Sequence, residues 1–205
     1  MTADSLSSEP PSSAPPSSRA ERRRATEARV LDGARKLFAE RGFERTTIRA
    51  VAESAGVDPS LVMQYFGSKR ELFARVLEVP AAEAPEDAAA VGDLGGVDAL
   101  VEHLLVTLGV KLGGLPEGTL AALRSMLTEP SAADHARGTL GRQIASVAGA
   151  LPADGDAELR AALLTTVVVG VAIGHQLLGL APLRDAPADR IAELLRPALR
   201  ALAEA

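Results

Sequence analysis

The chain has 205 residues, 47% of them hydrophobic, which is enough for one compact domain or two small ones. It has no cysteine, which excludes disulfides, thiol nucleophiles, CxxC redox chemistry and thiolate zinc sites together. The net charge of −5 hides an asymmetry: residues 19–78 sum to +4 and residues 79–205 to −7, a basic head on an acidic body that suggests an anionic partner for one end.

Residues 1–18 hold seven Ser and four Pro and too little apolar surface to offset the entropy of ordering. The tail, taken as 1–23 with its basic end, is therefore expected to be disordered. It has neither the basic start nor the apolar run of an export signal, so the cytoplasm is the expected location. The arginines Arg19, Arg22, Arg23 and Arg24 read equally as a flexible arm along phosphates or as part of a solubilising tail.

From Thr26 the pattern becomes helical, with Val30, Leu31, Ala34, Leu37 and Phe38 on one face. Gly42 is expected to end this helix in a left-handed conformation. Thr46 is the expected N-cap of a short second helix through about Ser54, and Ala55-Gly56-Val57 makes a tight turn. Asp58 and Pro59 then supply a cap and a first-turn proline for a third helix through about Tyr65. Gly67 breaks it, and Ser68-Lys69-Arg70-Glu71 has the capping-box pattern that opens a fourth helix with Leu72, Phe73, Val76 and Leu77. Residues 79–96, rich in Ala, Pro, Gly and acids, read as a partly mobile joint. Five further helices are expected at about 97–113, 117–128, 131–150, 156–180 and 187–203, with breaks at Gly113-Gly114, Pro130, Pro152 and Pro182. No stretch alternates as a strand does, so the chain reads as all-α.

The stretch TTIRAVAESAGVDPSLVMQYF, residues 46–66, meets the requirements of a helix-turn-helix. Ala52 is small enough for a helix crossing, Gly56 suits the sharp turn, and Ile48, Val51, Val57 and Val62 are apolar anchors. The second helix of such a unit presents its other face to the major groove, which is wide enough to admit it.

Together with VLDGARKLFAERGFERTTIRAVAESAGV and YFGSKRELFARVL, residues 26–78 resemble the DNA-binding domain of TetR-family transcriptional regulators. The resemblance implies an N-terminal helix-turn-helix domain, here 24–84 with its motif at 47–66, and a helical ligand-binding and dimerisation domain at 85–205. It also implies a bacterial homodimer that acts as a repressor on a palindromic operator in double-stranded DNA and is released by a small-molecule effector.

Residue roles follow one at a time. Thr46 and Thr47 offer hydroxyls and backbone N–H groups to a phosphate, and also serve as simple caps. Arg45 and Arg49 read as phosphate or groove contacts, or as solvated surface arginines. On the third helix Asp58, Pro59, Ser60, Met63 and Gln64 lie away from Val57, Leu61 and Val62. The Gln64 amide suits bidentate pairing with adenine, and Ser60 suits a base edge or a phosphate. Tyr65 has two readings, phosphate donor and core. Lys69 resembles the family's phosphate-contacting lysine. Met63 departs from the family, which usually has Tyr there, so a phosphate contact is lost and contact with a thymine methyl is the substitute.

Residues 161–183 carry no Asp, Glu, Lys or Arg, long enough to raise a membrane span. Thr165, Thr166, His175 and Gln176, with the Ala and Gly content, favour instead a helix buried between the core and a partner subunit. The resemblance implies that the last two long helices bundle with their symmetry mates, through Val168, Ala172 and His175 on one and Ile191, Leu194, Leu195 and Leu199 on the other. Pro197 is expected to kink or break the last helix early.

A ligand pocket is expected within helices 97–180. Its apolar candidates are Leu104, Leu108, Leu123, Met126, Leu127, Ile144 and Val147; its polar ones are His103 and the pair His175 and Gln176. The three histidines have no HxxxH spacing, and no metal or other cofactor is expected. There is no nucleophile elbow, phosphate loop or carboxylate pair of defined spacing, so no enzyme is expected. The alternative is a helical adaptor that keeps the helix-turn-helix without binding specific DNA.

Overall fold

The computed structural model describes residues 19–78, 95–153 and 155–205, and among them every regular element is a helix. The head consists of α1 (Arg19–Arg45), α2 (Ile48–Ala55), α3 (Pro59–Phe66) and α4 (Lys69–Leu77). The body consists of α5 (Val97–Gly113), α6 (Glu117–Ser125), α7 (Pro130–Gly149), α8 (Ala157–Gln176), the short α9 (Ala181–Arg184) and α10 (Ala188–Glu204). The expected tail over 1–18, and the expected joint as far as 94, lie outside the described residues.

Residues 19–23 are helical and not a disordered tail end, because α1 already starts at Arg19. Ala, Arg and Glu are strong helix formers, and Arg23 pairs with Glu27 one turn on, Nε to Oε1, at 2.7 Å.

Gly42 does not stop α1 as a left-handed cap would. Its φ of 74° and ψ of 175° make a kink open essentially to glycine alone, after which one more helical turn runs to Arg45. The kink leaves the Phe43 N–H without a helical acceptor. That amide donates instead to Ser125 Oγ, 2.9 Å away at the buried end of α6.

The head's core then forms around three of the four phenylalanines. Phe73 meets Phe38 edge-on at 4.9 Å between centroids and Phe43 at 5.1 Å, packed with Val30, Val51, Val62 and Leu72. Ala121 and Ala122 of α6 and Ala132 of α7 belong to the same cluster, so the packing runs past the expected boundary at residue 84. Small side chains there let α6 approach α1 closely.

A second core joins Leu100, Leu104 and Leu108 of α5 with Ala161, Leu164 and Val168 of α8 and Ile191 and Leu199 of α10. Arg160 is buried beside it, donating to Ala203 O at 2.8 Å and Pro152 O at 3.3 Å, which satisfies a carbonyl at the end of α10. By length and composition α8 is a helix that can cross a membrane, but Ala161, Leu164, Val168 and Ala172 turn one side of it into the body's core. It ends at Gln176, short of the expected 180, and the chain turns at Gly179 into α9.

The last helix does not break at Pro197; it runs on to Glu204. Proline inside a helix costs about 3 kcal/mol through the lost hydrogen bond and the clash with the preceding turn. Pro197 lies on the exposed side, where water can reach the Glu193 carbonyl it frees, and Leu199 and Ala203 beyond it are fully buried.

Truncating the aromatic cluster is the direct test of this architecture. Phe73→Ala is expected to lower stability by about 3–5 kcal/mol in urea unfolding. A loss under 1 kcal/mol would mean that the three rings do not hold the head together.

Candidate nucleic-acid interface

The helix-turn-helix is built by α2 and α3. Val51, Ala52 and Val62 are fully buried where the two helices meet, and Gly56 turns the chain with φ 64° and ψ 41°. Its neighbour closes the turn, the Val57 N–H donating to Ala52 O at 2.9 Å.

At the start of α2 the two threonines divide their work differently from expectation. Thr47, not Thr46, is the N-cap, its Oγ1 accepting from the Ala50 N–H at 3.1 Å, and it is exposed. Thr46 is fully buried, and its hydroxyl lies 2.9 Å from Gly42 O and 3.1 Å from Leu37 O. The expected phosphate contact through the Thr46 hydroxyl is therefore withdrawn: the group faces the protein interior. Arg45 and Arg49 stand exposed on either side, Arg45 with its Nε on Arg41 O at 3.1 Å.

On α3 the outward set is Pro59, Ser60, Met63 and Gln64, all exposed, while Val62 is buried and Leu61 half-buried. Asp58 caps the helix, accepting from the Ser60 N–H at 2.8 Å and from the Ser60 hydroxyl at 2.5 Å. These two hydrogen bonds, the hydroxyl's first, hold the Asp58 carboxyl below its ordinary pKa. The Ser60 proton is thus committed to the cap, and its oxygen keeps only acceptor capacity.

Tyr65 is half-buried, and its ring carries the Arg23 guanidinium of α1, 5.1 Å from the centroid. Lys69, at the start of α4, has Nζ 4.2 Å from the Phe43 ring centroid and 3.3 Å from Glu44 O, to which it donates. Its charge sits at the carbonyl end of α1, next to the α2 N-terminus. Ser68 caps α4 through the Glu71 N–H at 3.1 Å.

Two residues that tie this surface to the body are invisible in the sequence. Ser125 holds Phe43, and the buried carboxylate of Glu129 accepts from Arg70 Nε of α4 at 3.3 Å and from Ser131 Oγ at 3.2 Å. They lie 82 and 59 residues from their partners, and no local pattern marks them.

The residues expected at the pocket differ in burial. Leu104, Leu108 and Val147 are buried in the body's core, with Ile144 packed against it. His103 and Leu123 are half-buried, Met126 is exposed and Leu127 is 91% exposed. Gln176 is also engaged, its Nε2 donating to Leu112 O at the end of α5 at 2.6 Å. The surface depressions lie elsewhere: one of about 270 Å³ along Arg196, Arg200 and Glu204, and one of about 230 Å³ between Arg29, Lys36 and Ser54. The described residues hold no cluster of three or more possible metal-binding side chains.

The residues expected at a subunit interface also separate. Val168, Ala172, Ile191 and Leu199 are buried within the protomer, because they face α5 across the body's own core; they are not surface residues. Leu194 is 63% exposed, while Leu195 and His175 are half-buried. Leu159 and Leu163 of α8, one turn apart and 59% and 44% exposed, join the exposed apolar set. Their i, i+4 spacing was legible, but α8 is apolar on most sides, so no single stripe stood out.

A family model described as bacterial regulatory proteins, tetR family, matches residues 30–76. Another, described as tetracyclin repressor-like, C-terminal domain, matches residues 98–202. The transcriptional repressor AcnR of Corynebacterium glutamicum is 36% identical over 73 residues, covering 36% of this chain and 35% of that protein. The chain thus spans about a third of the length of that relative. A TetR-like transcriptional regulator from Rhodococcus sp. RHA1 superposes with a TM-score of 0.64 at 26% identity, covering 92% of this chain and 96% of the other. GusR of Salmonella enterica shares the fold, with a TM-score of 0.63 at 23% identity over 88% of this chain and 96% of its own.

The Asp58 cap has a testable pH dependence. A carboxyl whose pKa is lowered on folding stabilises the fold above its unfolded pKa and loses that contribution as pH falls through the folded one. The Ser60 amide resonance is expected to titrate with a midpoint below the ordinary aspartate range, and the response is expected to vanish in Asp58→Asn. A midpoint within the ordinary range would mean that the Ser60 bonds do not form in solution.

Proposed function

The chain belongs to the TetR family of bacterial regulatory proteins, and we propose that it is a homodimeric repressor that reads a palindromic operator through α3 and is released by a small-molecule effector. The observation that carries this reading is the α2–α3 unit. Val62 and Ala52 lock the two helices together, so that Gln64 and Met63 face outward on a helix the major groove admits. Gln64 is the base reader, its amide matched to adenine, and Met63 meets a thymine methyl. Thr47 with the amides it leaves free at the α2 N-terminus, Arg45, Arg49 and the Tyr65 hydroxyl bind phosphates and fix the register. Asp58 and Pro59 orient α3, and Ser60 accepts from a base edge. Lys69 adds charge at the α2 entrance while bracing α1.

The exposed apolar side chains Leu159, Leu163 and Leu194 support a two-fold interface built by α8 and α10, with Leu195 and His175 at its inner margin. Two heads so joined meet half-sites about 34–36 Å apart, one helical turn of DNA. Two buried polar atoms on α8, Thr165 Oγ1 and His175 Nδ1, have no hydrogen-bond partner among the described residues. A partner subunit or an effector that satisfied them would remove the cost of leaving them unpaired. Because the body is closed around Leu104, Leu108 and Val147, the effector acts by favouring an opened body, and its affinity difference between the two states sets how far the equilibrium moves. The Arg70–Glu129 and Phe43–Ser125 contacts carry that change to α4 and α1.

The deciding experiment is binding to the DNA upstream of the chain's own gene with excess random competitor. Competitor-resistant binding with two-fold-symmetric protection is expected. Gln64→Ala is expected to cost about 1–3 kcal/mol and to relax preference at one position per half-site. Equal weakening on every sequence would remove Gln64 from base reading, and binding abolished by random DNA would favour the adaptor reading. Leu194→Asp is expected to give monomers in light scattering and to lose operator binding. A persisting dimer would put the interface elsewhere.

A further inference from the structure

The first turns of α1 project beyond the packed head. The helix starts at Arg19 and its first buried residue is Val30, so about 16 Å of helix precedes the core. Residues 19–28, RAERRRATEA, contain no large apolar side chain, and this segment contributes nothing to either hydrophobic cluster. It is attached instead by a cation: the Arg23 guanidinium lies over the Tyr65 ring at 5.1 Å and is braced from behind by Glu27 at 2.7 Å. Tyr65 follows Gln64 in α3, so the extension passes beside the far end of the outward α3 face. Arg19 stands four residues before Arg23 and three before Arg22, the spacings at which helical side chains are neighbours, and both Arg19 and Arg22 are exposed.

We propose that this extension is a second DNA-contacting element, in which Arg19 and Arg22 neutralise backbone phosphates flanking the groove that α3 enters. Arg23, seated on Tyr65, is the positioning residue that holds them there. The inference rests on the DNA-binding reading of the head given above. Phosphates and not bases are the targets: a helix packed against α3 from outside lies over the backbone, and the guanidinium fork matches phosphate oxygens. The tie to Tyr65 also lowers the cost of binding, because the arginines are ordered before DNA arrives and lose less freedom on contact.

The test uses the full chain and a random-sequence duplex, with affinity measured across salt concentrations. Each phosphate neutralised contributes about 0.9 to the slope of log K against log salt. Arg19→Ala/Arg22→Ala is therefore expected to flatten the slope by about 2 per head and to weaken random and operator DNA in parallel, with base preference unchanged. Alanine keeps the helix, so a folding defect is not the expected cause. Arg137→Ala/Arg142→Ala removes the same charge from α7 and is expected to leave the slope unchanged. Tyr65→Leu, which removes the seat for Arg23 and no charge, is expected to flatten the slope.

An unchanged slope in Arg19→Ala/Arg22→Ala overturns the proposal, as does an equal change in the α7 variant. A chain with no sequence preference defeats the regulator reading alone, since the slope on random duplex still decides this one. A chain that binds no duplex overturns both.

Discussion

At Gly42 the first helix bends, and the Phe43 amide released by the bend lands on the buried hydroxyl of Ser125. Much of the molecule depends on that contact. The bend swings Phe43 against Phe73 and brings the last turn of α1 over α4, and the Thr46 hydroxyl meets the Leu37 and Gly42 carbonyls. The small residues Ala121 and Ala122 let α6 close on α1, so the head has no complete core without part of the body. Arg70 and the buried carboxylate of Glu129 make a second tie between α4 and the start of α7. Removing Arg70 would leave that carboxylate buried with only Ser131 as a side-chain partner, a costly state. The two contacts thus fix both α1 and α4 to the body, with the α2–α3 unit packed against them.

The outward surface of the head is sorted by what the scaffold has already used. Thr46 is consumed inside, and Lys69 is shared between a carbonyl, an aromatic ring and the surface. The Ser60 proton is committed to Asp58. The groups left outward are the Gln64 amide, the Met63 thioether, Thr47 and the arginines. That division matches the proposed split between one base reader and several phosphate contacts.

The body shows the complementary situation. Its interior holds leucines and valines of α5 and α8. Its outer side carries Leu159, Leu163 and Leu194, and the unpartnered Thr165 hydroxyl and His175 Nδ1 lie on the same α8. The uncovered apolar residues on the outside are the basis of the proposed two-fold interface.

The sequence by itself determined the all-α class, the helix-turn-helix and where α3 and α4 begin. These are local matters: apolar periodicity, Asp58 before Pro59, Ser68 three residues before Glu71, and Gly56 between two short helices each act within one or two turns. It also carried the family resemblance, because the motif residues are contiguous. The tertiary structure decided which of two adjacent threonines faces inward, since that depends on how the end of α1 presents the Leu37 and Gly42 carbonyls to the hydroxyl. It decided that Val168 and Ile191 belong to the protomer's own core while Leu163 and Leu194 stay uncovered, because periodicity on a helix apolar all round names no partner. It carried α10 through Pro197, where burial of Leu199 and Ala203 outweighs a local penalty. And it set Arg23 on Tyr65 and Phe43 on Ser125, contacts between residues that only the folded chain brings together.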